Sequence, residues 1–484
     1  MPLFVALSGW RGRSGRLPGA TFRRGFLLGL IAGGVHYAGT VYWTGATVQT
    51  FGGLPWPVAA FVALLLVLYM SLYVALASGV TAYLVRRLGW IGLPLGAAAW
   101  VTMEYTRGFM FGGFPWIPLG NTMVTLLPIA QLASAGGVYT LSLFVALINA
   151  GFALVVVSAP RMQRMALAAT LALIAAVSVW GGMRLSSNAL IEGGTPVRVG
   201  LVQANIAQVD KWNEAKAGQI VERYLEMTRQ AVHEGAQLVL WPESATPFVF
   251  DEEPTGASLV RRVVQSTGVP LLFGTDEIER GPMNRYYNSA FMLDTGGATA
   301  AVYRKMHLVP FGEYVPFKDL LFFVKPLVES VSDFTPGPFV TMLPVNEHMM
   351  STAICYEVTY PSLMREAVRQ GSELLTTITN DAWYGESSAP FQHFEMAAMR
   401  SIEQGRYLVR AANTGITGIV DPYGRVLART KLGETTVVVG EVRFVQAKTL
   451  YATMGDRVAH AAIALTALAL IAASRRPWRS SSMI

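Results

Sequence analysis

Long apolar runs constrain this chain more than any other feature. From Gly25 to about Gly182 the sequence is a series of apolar stretches with few charges, and a last one covers roughly Val458 to Ser474. A helix needs about 20 apolar residues to cross a bilayer, where unpaired backbone groups find no water. Candidate spans fall at roughly 25–47, 57–85, 88–108, 121–157 and 165–183, with a closing span near 458–474. The fourth is long enough for a tilted or broken helix, or for a span joined to a surface helix. Between these runs, from about Val197 to Val445, the sequence has the mixed polarity of a globular domain. The expected organisation is a helical transmembrane bundle over 1–190, with about five spans and an N-terminal remnant. An α/β domain over 195–447 and a C-terminal transmembrane helix over 456–476 follow. A hydrophobic content of 52% against 14% charged residues is not that of a soluble protein.

Arginine placement orients the spans, because cytoplasmic loops carry the excess of basic residues. Arg11, Arg13, Arg16, Arg23 and Arg24 precede the first span, and Arg86 and Arg87 follow the second. Arg161 and Arg164 follow the fourth, and Arg475, Arg476 and Arg479 follow the last. If every cluster is cytoplasmic, the spans alternate without conflict and the globular domain lies on the opposite side, in a bacterium the periplasm. The net charge of +7 is therefore a matter of membrane topology, and no nucleic acid partner is implied. Met1–Trp10 is apolar but too short to span, and no small-residue cleavage site follows it, so it is not read as a signal peptide. Glu104 and Arg107 interrupt the third span. They read either as a pair at the interface or as groups facing lipid headgroups or a cavity.

The globular domain alternates strands and helices. Strands are expected at 197–206, 238–244, 271–276, 288–294 and 301–309, with helices from Asn213 to Glu234, near Pro361–Gln370 and across Phe391–Glu403. "MMSTAICYEV" and "LLTTITND" each lead into a helix, and "GITGIVDPYGRV" reads as a hairpin. Several strands run into polar clusters, where a rigid sheet can position reactive groups. Glu243 stands in "WPES", Lys305 in "YRKMHLVPFGEYVP" and Cys355, the one cysteine of the chain, in "ICYEV". One cysteine excludes an intramolecular disulfide and a cysteine-based zinc site. Taken singly, Cys355 reads as a buried hydrophobe, Glu243 as a turn cap and Lys305 as a solvated strand charge. Taken together, a thiol needs a base to become thiolate, a carboxylate in a dry site can serve, and an ammonium can stabilise thiolate and oxyanion alike. No histidine-based triad presents itself, and His393 in "FQHFEMAAMR" reads as a packing or hydrogen-bonding helix residue.

The order of these three segments resembles the Glu-Lys-Cys triad of the nitrilase superfamily, whose domain is an α-β-β-α sandwich. The segments "LVQANIAQVDKW", "HLVPFGEYVPF", "ITNDAWYG" and "QHFEMAAMRSIEQGR" resemble the apolipoprotein N-acyltransferase family more closely. So do the membrane segments "TFGGLPWPVAA", "YMSLYVAL" and "MEYTRGFMFGGFPW". The resemblance covers nearly the whole chain. It implies Cys355 as nucleophile, Glu243 as general base, Lys305 as oxyanion stabiliser and Glu313 as a second essential glutamate. Trp212, Tyr356, Glu357 and Trp383 match further positions that the family needs for acyl-chain access or support of the site. The implied reaction is ping-pong, from the sn-1 ester of a phospholipid, typically phosphatidylethanolamine, through a thioester to the α-amine of a diacylglyceryl-modified cysteine on an apolipoprotein. The implied location is the bacterial inner membrane, with the catalytic domain periplasmic. No cofactor or metal is implied, and nothing demands more than a monomer. The family usually has about two further N-terminal spans, so Met1–Trp10 is expected to be the remnant of the second. A membrane-tethered amidase with the same triad is the alternative reading. A transporter or binding-only receptor is disfavoured, because apart from Glu104 and Arg107 the spans lack buried charge.

Overall fold

The computed structural model describes residues 1–9, 19–314 and 334–475; Arg11, Arg13, Arg16, Arg476 and Arg479 lie outside them. The chain divides into two units. One comprises Met1–Gln49, Pro55–Ser187 and Met454–Ile484, and the other comprises Thr50–Leu54 and Asn188–Thr453.

The first unit is helical. Four helical stretches among the described residues are long and apolar enough to cross a membrane. A fifth is added if the helices Phe22–Thr40 and Trp43–Gly52, bent by 54° at their junction, form one broken span. The stretch Trp56–Arg107 is two helices, Trp56–Leu88 and Gly92–Arg107, divided by a short 3₁₀ turn. Helix Phe22–Thr40 packs on Trp56–Leu88 through a stripe of small residues: Gly25 lies against Ala82 and Gly29 against Ser78, where an added Cβ would come within 2.5 Å. Such stripes let backbones approach closely where lipid leaves no hydrophobic drive for helix association. The expected span over 121–157 resolves into short turns up to Gly136 followed by one regular helix, Val138–Val157. Outward-facing Leu27, Ile31, Val35, Leu64 and Leu171 are all exposed, as a lipid-facing surface requires.

Packing within this unit gathers the described arginine clusters. Gly19 lies against Val85 and Arg86. Val85, Leu93 and Val157 share one buried cluster, and Leu84 and Ala473 share another. Arg23 and Arg24, Arg86 and Arg87, Arg161 and Arg164, and Arg475 therefore lie toward the same end of the bundle.

Glu104 and Arg107 are buried within the helical unit. The Leu119 amide donates to Glu104 Oε1 at 2.7 Å, and Arg107 donates to the Tyr37 hydroxyl at 2.6 Å and the Trp116 carbonyl at 3.0 Å. They fix the irregular chain between Gly108 and Asn121 to the helices.

The second unit holds two six-stranded sheets. The first has the order β12-β1-β2-β3-β4-β5, from β1 (Thr195–Gln203), β2 (Leu238–Leu240), β3 (Leu271–Glu279), β4 (Arg285–Leu293), β5 (Thr299–Arg304) and β12 (Thr436–Phe444). The second has the order β11-β10-β9-β8-β7-β6, from β6 (Leu343–Val345), β7 (His348–Ile354), β8 (Leu374–Thr379), β9 (Leu408–Ala412), β10 (Gly418–Val420) and β11 (Val426–Arg429). Each has three parallel strands at its heart, β1-β2-β3 and β7-β8-β9, with antiparallel strands on both sides. The two sheets thus repeat one topology. Buried on both faces, the parallel strands are near-continuous apolar runs, as in "VGLV" and "LVL".

The helices Glu214–His233 and Pro254–Thr267 pack on the first sheet through Ile220, Tyr224, Leu225, Val260 and Val264. The helices Pro361–Arg369 and Ala389–Gln404 pack on the second through Met364, Val368 and Ala397. The sheets meet face to face: Gly440 of β12 lies against Ile419 of β10, and the Gln203 amide of β1 donates to the carbonyls of Lys431 and Glu434. The result is an α-β-β-α sandwich, with the expected strands present to within a few residues at their ends. The strand expected over 301–309 is the exception. It ends at Arg304, because Lys305 to Val309 turn away to build the site described next.

Candidate active site

Three strand ends carry the candidate reactive groups. Glu243 follows β2 by three residues, Lys305 follows β5 directly, and Cys355 follows β7 directly. The first two belong to one sheet and the third to the other. Cys355 takes a φ of +54°, rare for a residue with a side chain, and so marks a sharp turn held by its surroundings. Ser244 and Phe311, at the turns that carry Glu243 and Glu313, share this left-handed backbone at φ +43° and +61°. Gly274 of β3 is what lets the Glu243 turn lie so close to the sheet: a Cβ there would meet Glu243 Cα and Ser244 N at 2.6 Å each.

A buried polar network joins the acidic and basic groups. Lys305 Nζ donates to Glu243 Oε1 at 3.1 Å and to Glu313 Oε1 at 2.8 Å. Asn288 Nδ2 of β4 bridges the same two oxygens at 2.8 and 2.9 Å. The Asn380 amide donates to Glu243 Oε2 at 2.8 Å, and the Val309 amide to Glu313 Oε2 at 2.8 Å. Every carboxylate oxygen here thus has a donor, as burial requires.

These neighbours set the charges. Burial alone would raise the Glu243 carboxyl, but the Lys305 and Lys211 ammoniums and the Asn288 bond outweigh it and hold it below the usual carboxylate range. Lys305 is pulled the other way: burial would lower it, yet Glu243 and Glu313 hold it well above its ordinary value. Burial, with the Glu243 charge added, pushes the Cys355 thiol well up; Lys305 and the Thr379 hydroxyl oppose this. The resting site is therefore a thiol beside a carboxylate and an ammonium. Such an arrangement is chemically able to pass a proton from sulfur to the carboxylate.

Glu357 ties the two sheets at this point. It accepts from the amides of Met306 and His307, which follow Lys305, at 2.6 and 3.0 Å. It also accepts from the Ile354 amide at 2.8 Å, just before Cys355, and from the Tyr303 hydroxyl at 2.9 Å. Burial raises its carboxyl to about 7 against these donors. Tyr356 is buried, with the Tyr360 hydroxyl 3.3 Å from its own. Trp212, on a loop, and Trp383, on the short 3₁₀ helix Asp381–Tyr384, are 49% and 38% exposed and stand apart from the buried network.

Several groups around the site were not singled out from the sequence. Lys211, beside Trp212, is buried and donates to the Glu243 carbonyl at 3.1 Å. Asn288 and Asn380 bind the Glu243 carboxylate. His393, expected from the sequence to pack or hydrogen-bond, does so in a buried chain: its Nε2–H donates to the Cys355 carbonyl at 3.0 Å, its Nδ1 lies 3.0 Å from Asp381 Oδ1, and Arg410 reaches both His393 Nδ1 and Asp381 Oδ2. Since a carbonyl only accepts, Nε2 carries the proton. Burial and Arg410 lower the pKa of this imidazole, with Asp381 and the Cys355 carbonyl opposing. Asp381 and Asn380 lie within "ITNDAWYG", whose run of polar residues after an apolar strand was the available signal.

Comparison with known proteins assigns the class first. Residues 198–451 match the family model described as carbon-nitrogen hydrolase, and residues 1–151 match the one described as apolipoprotein N-acyltransferase N-terminal domain. An amidase from Nesterenkonia sp. of known structure is similar at 20% identity and a TM-score of 0.41, covering 57% of this chain and 98% of its own. Whole-length relatives narrow the class. A protein of Geobacter metallireducens named apolipoprotein N-acyltransferase is 40% identical over 466 residues, 94% of this chain and 88% of that one. One of the same name from Shewanella oneidensis is 33% identical over 94% of this chain and 88% of its own. The chain belongs to the apolipoprotein N-acyltransferase family.

Proposed function

We propose that the protein transfers an acyl chain from a membrane phospholipid to the α-amine of a diacylglyceryl-cysteine at the N-terminus of an apolipoprotein, through a thioester on Cys355. One observation carries this reading: Glu243 and Lys305, joined in a buried contact, electrostatically face the sole cysteine of a chain in this family. Cys355 Sγ attacks the sn-1 ester carbonyl while Glu243 takes the thiol proton, and Lys305 faces the oxyanion that forms. Collapse expels the lysophospholipid alkoxide, which takes the proton from Glu243, and leaves the thioester. The acceptor amine then attacks the thioester, Glu243 takes its proton, and the thiol is restored as the amide forms. Phosphatidylethanolamine is the donor we expect. Glu313 orients Lys305, Glu357 holds the two reacting strand ends together, and Trp212, Tyr356 and Trp383 support acyl-chain access. The chain acts as a monomer in this reading.

The arginine clusters at one end of the bundle support a cytoplasmic placement of that end. On this basis the catalytic domain faces the periplasm from the inner membrane of a bacterium. Incubation of the detergent-solubilised protein with phosphatidylethanolamine and no acceptor, followed by intact-mass measurement, tests the mechanism. The expected result is one added acyl mass that hydroxylamine removes and that Cys355→Ala and Glu243→Gln lack. An unmodified protein that instead releases ammonia from amides would make it a membrane-tethered amidase.

A further inference from the structure

We propose that Lys211 is a second ammonium of the active site, a positioning residue that fixes the Glu243 turn and supports the negative charge that develops as Cys355 attacks. This rests on the thioester reading above. Lys211 is 4% exposed and lies on the loop between β1 and the helix Glu214–His233. Its Nζ donates to the main-chain carbonyl of Glu243 at 3.1 Å, its one hydrogen bond among the described residues, although an ammonium has three donors. A buried lysine that only tied down a turn would be an expensive choice, because desolvating an ammonium is costly unless charge nearby compensates it. The compensation at rest comes from the Glu243 carboxylate beyond β2 and from Asp276 on β3, and Cys355 beyond β7 joins them once its sulfur carries charge.

The charge balance during the reaction gives this placement a purpose. At rest, the carboxylates of Glu243 and Glu313 offset Lys305 and Lys211, with Asp276 pushed up to about 6 by burial. When Glu243 takes the thiol proton, one negative charge leaves the carboxylates and reappears on the substrate oxygen. Both ammoniums then act on that oxygen, in a dry site where such charges are worth most. Lys305 keeps Glu313 as a direct partner, whereas Lys211 is held only through a carbonyl. Burial lowers Lys211 to about 8, Glu243, Asp276 and Cys355 opposing, so its positive charge is present below that pH and lost above it.

Single-turnover acylation of Cys355 by phosphatidylethanolamine in mixed micelles, followed by intact mass across a range from about pH 6 to 9.5, tests this. The first half-reaction includes no acceptor amine whose own titration would intrude. Lys211→Met should slow acylation roughly ten- to hundred-fold and flatten the fall in rate above about pH 8, with little change in melting temperature. Lys211→Arg should restore most of the rate while moving the alkaline fall beyond the tested range, because a guanidinium stays charged there. Wild-type rates in Lys211→Met, or an alkaline fall that persists in either variant, would overturn the inference. If Lys211→Met does not fold, the pH profile of Lys211→Arg decides alone. A wild-type protein that never gains the acyl mass would overturn the thioester reading first, and this inference with it.

Discussion

A thiol held protonated beside an ionised carboxylate is a reactive group kept in check. Cys355 is buried and its thiol pushed up, which protects it from indiscriminate alkylation and oxidation; in the proposed mechanism a substrate carbonyl draws the proton across to Glu243. Lys305 limits how far the thiol rises. Lys305→Met should therefore slow iodoacetamide modification of Cys355 at neutral pH by about ten-fold or more, measured by intact mass; modification at the wild-type rate would show that the ammonium does not act on sulfur. Cys355, Glu243 and Lys305, the nucleophile, base and oxyanion stabiliser proposed above, stood out as candidates because each lies in a short polar cluster after an apolar strand. Lys211 and Asn288 did not. A lysine in a loop and an asparagine in a strand carry no local sign of burial, and only the folded sheet brings them to Glu243.

Among the elements, the ends of β5 and β7 depend on each other through one side chain. Glu357→Gln replaces one acceptor oxygen by a donor and leaves at least one of the Met306, His307 or Ile354 amides without a partner, at a cost of about 1–3 kcal/mol. Thermal melting should register this as a drop of several degrees, together with loss of acylation. Because the folded carboxyl is raised to about 7, its contribution is full below the ordinary glutamate range and is lost as pH rises through about 7. Wild-type stability should accordingly decline across that window, and Glu357→Gln should lack this part of the slope. Gly274→Ala probes the neighbouring element: its Cβ would displace the backbone of the Glu243 turn, so acylation should fall at least ten-fold while the far sheet is untouched. Unchanged kinetics in this variant would mean that the turn tolerates the shift. Strand and helix identities were legible because the apolar periods are strong. The end of β5 was not, since "KMHLV" continues an extended pattern and leaves the sheet only because Glu357 captures its amides.

At the scale of the whole molecule, the sequence separates the chain into an apolar helical part and a mixed-polarity part. The details of the helices were harder to read: composition marks apolar stretches but not the bend after Thr40 or the turns before Val138. Orientation can be tested with the sole cysteine removed. In a Cys355→Ala background, Glu434→Cys should react with a membrane-impermeant maleimide in intact spheroplasts, whereas Arg161→Cys should react only after lysis; the reverse pattern would invert the proposed topology. The two sheets have a further consequence. Glu243 and Lys305 ride on one sheet and Cys355 on the other, so the atoms proposed to react straddle a seam that has no covalent cross-link. Any sliding of one sheet over the other, even one that left both intact, would open the distance between sulfur and base before much secondary structure was lost. Catalysis is then the most sensitive strain gauge in the molecule, and heating should silence the chemistry several degrees before the sandwich itself comes apart.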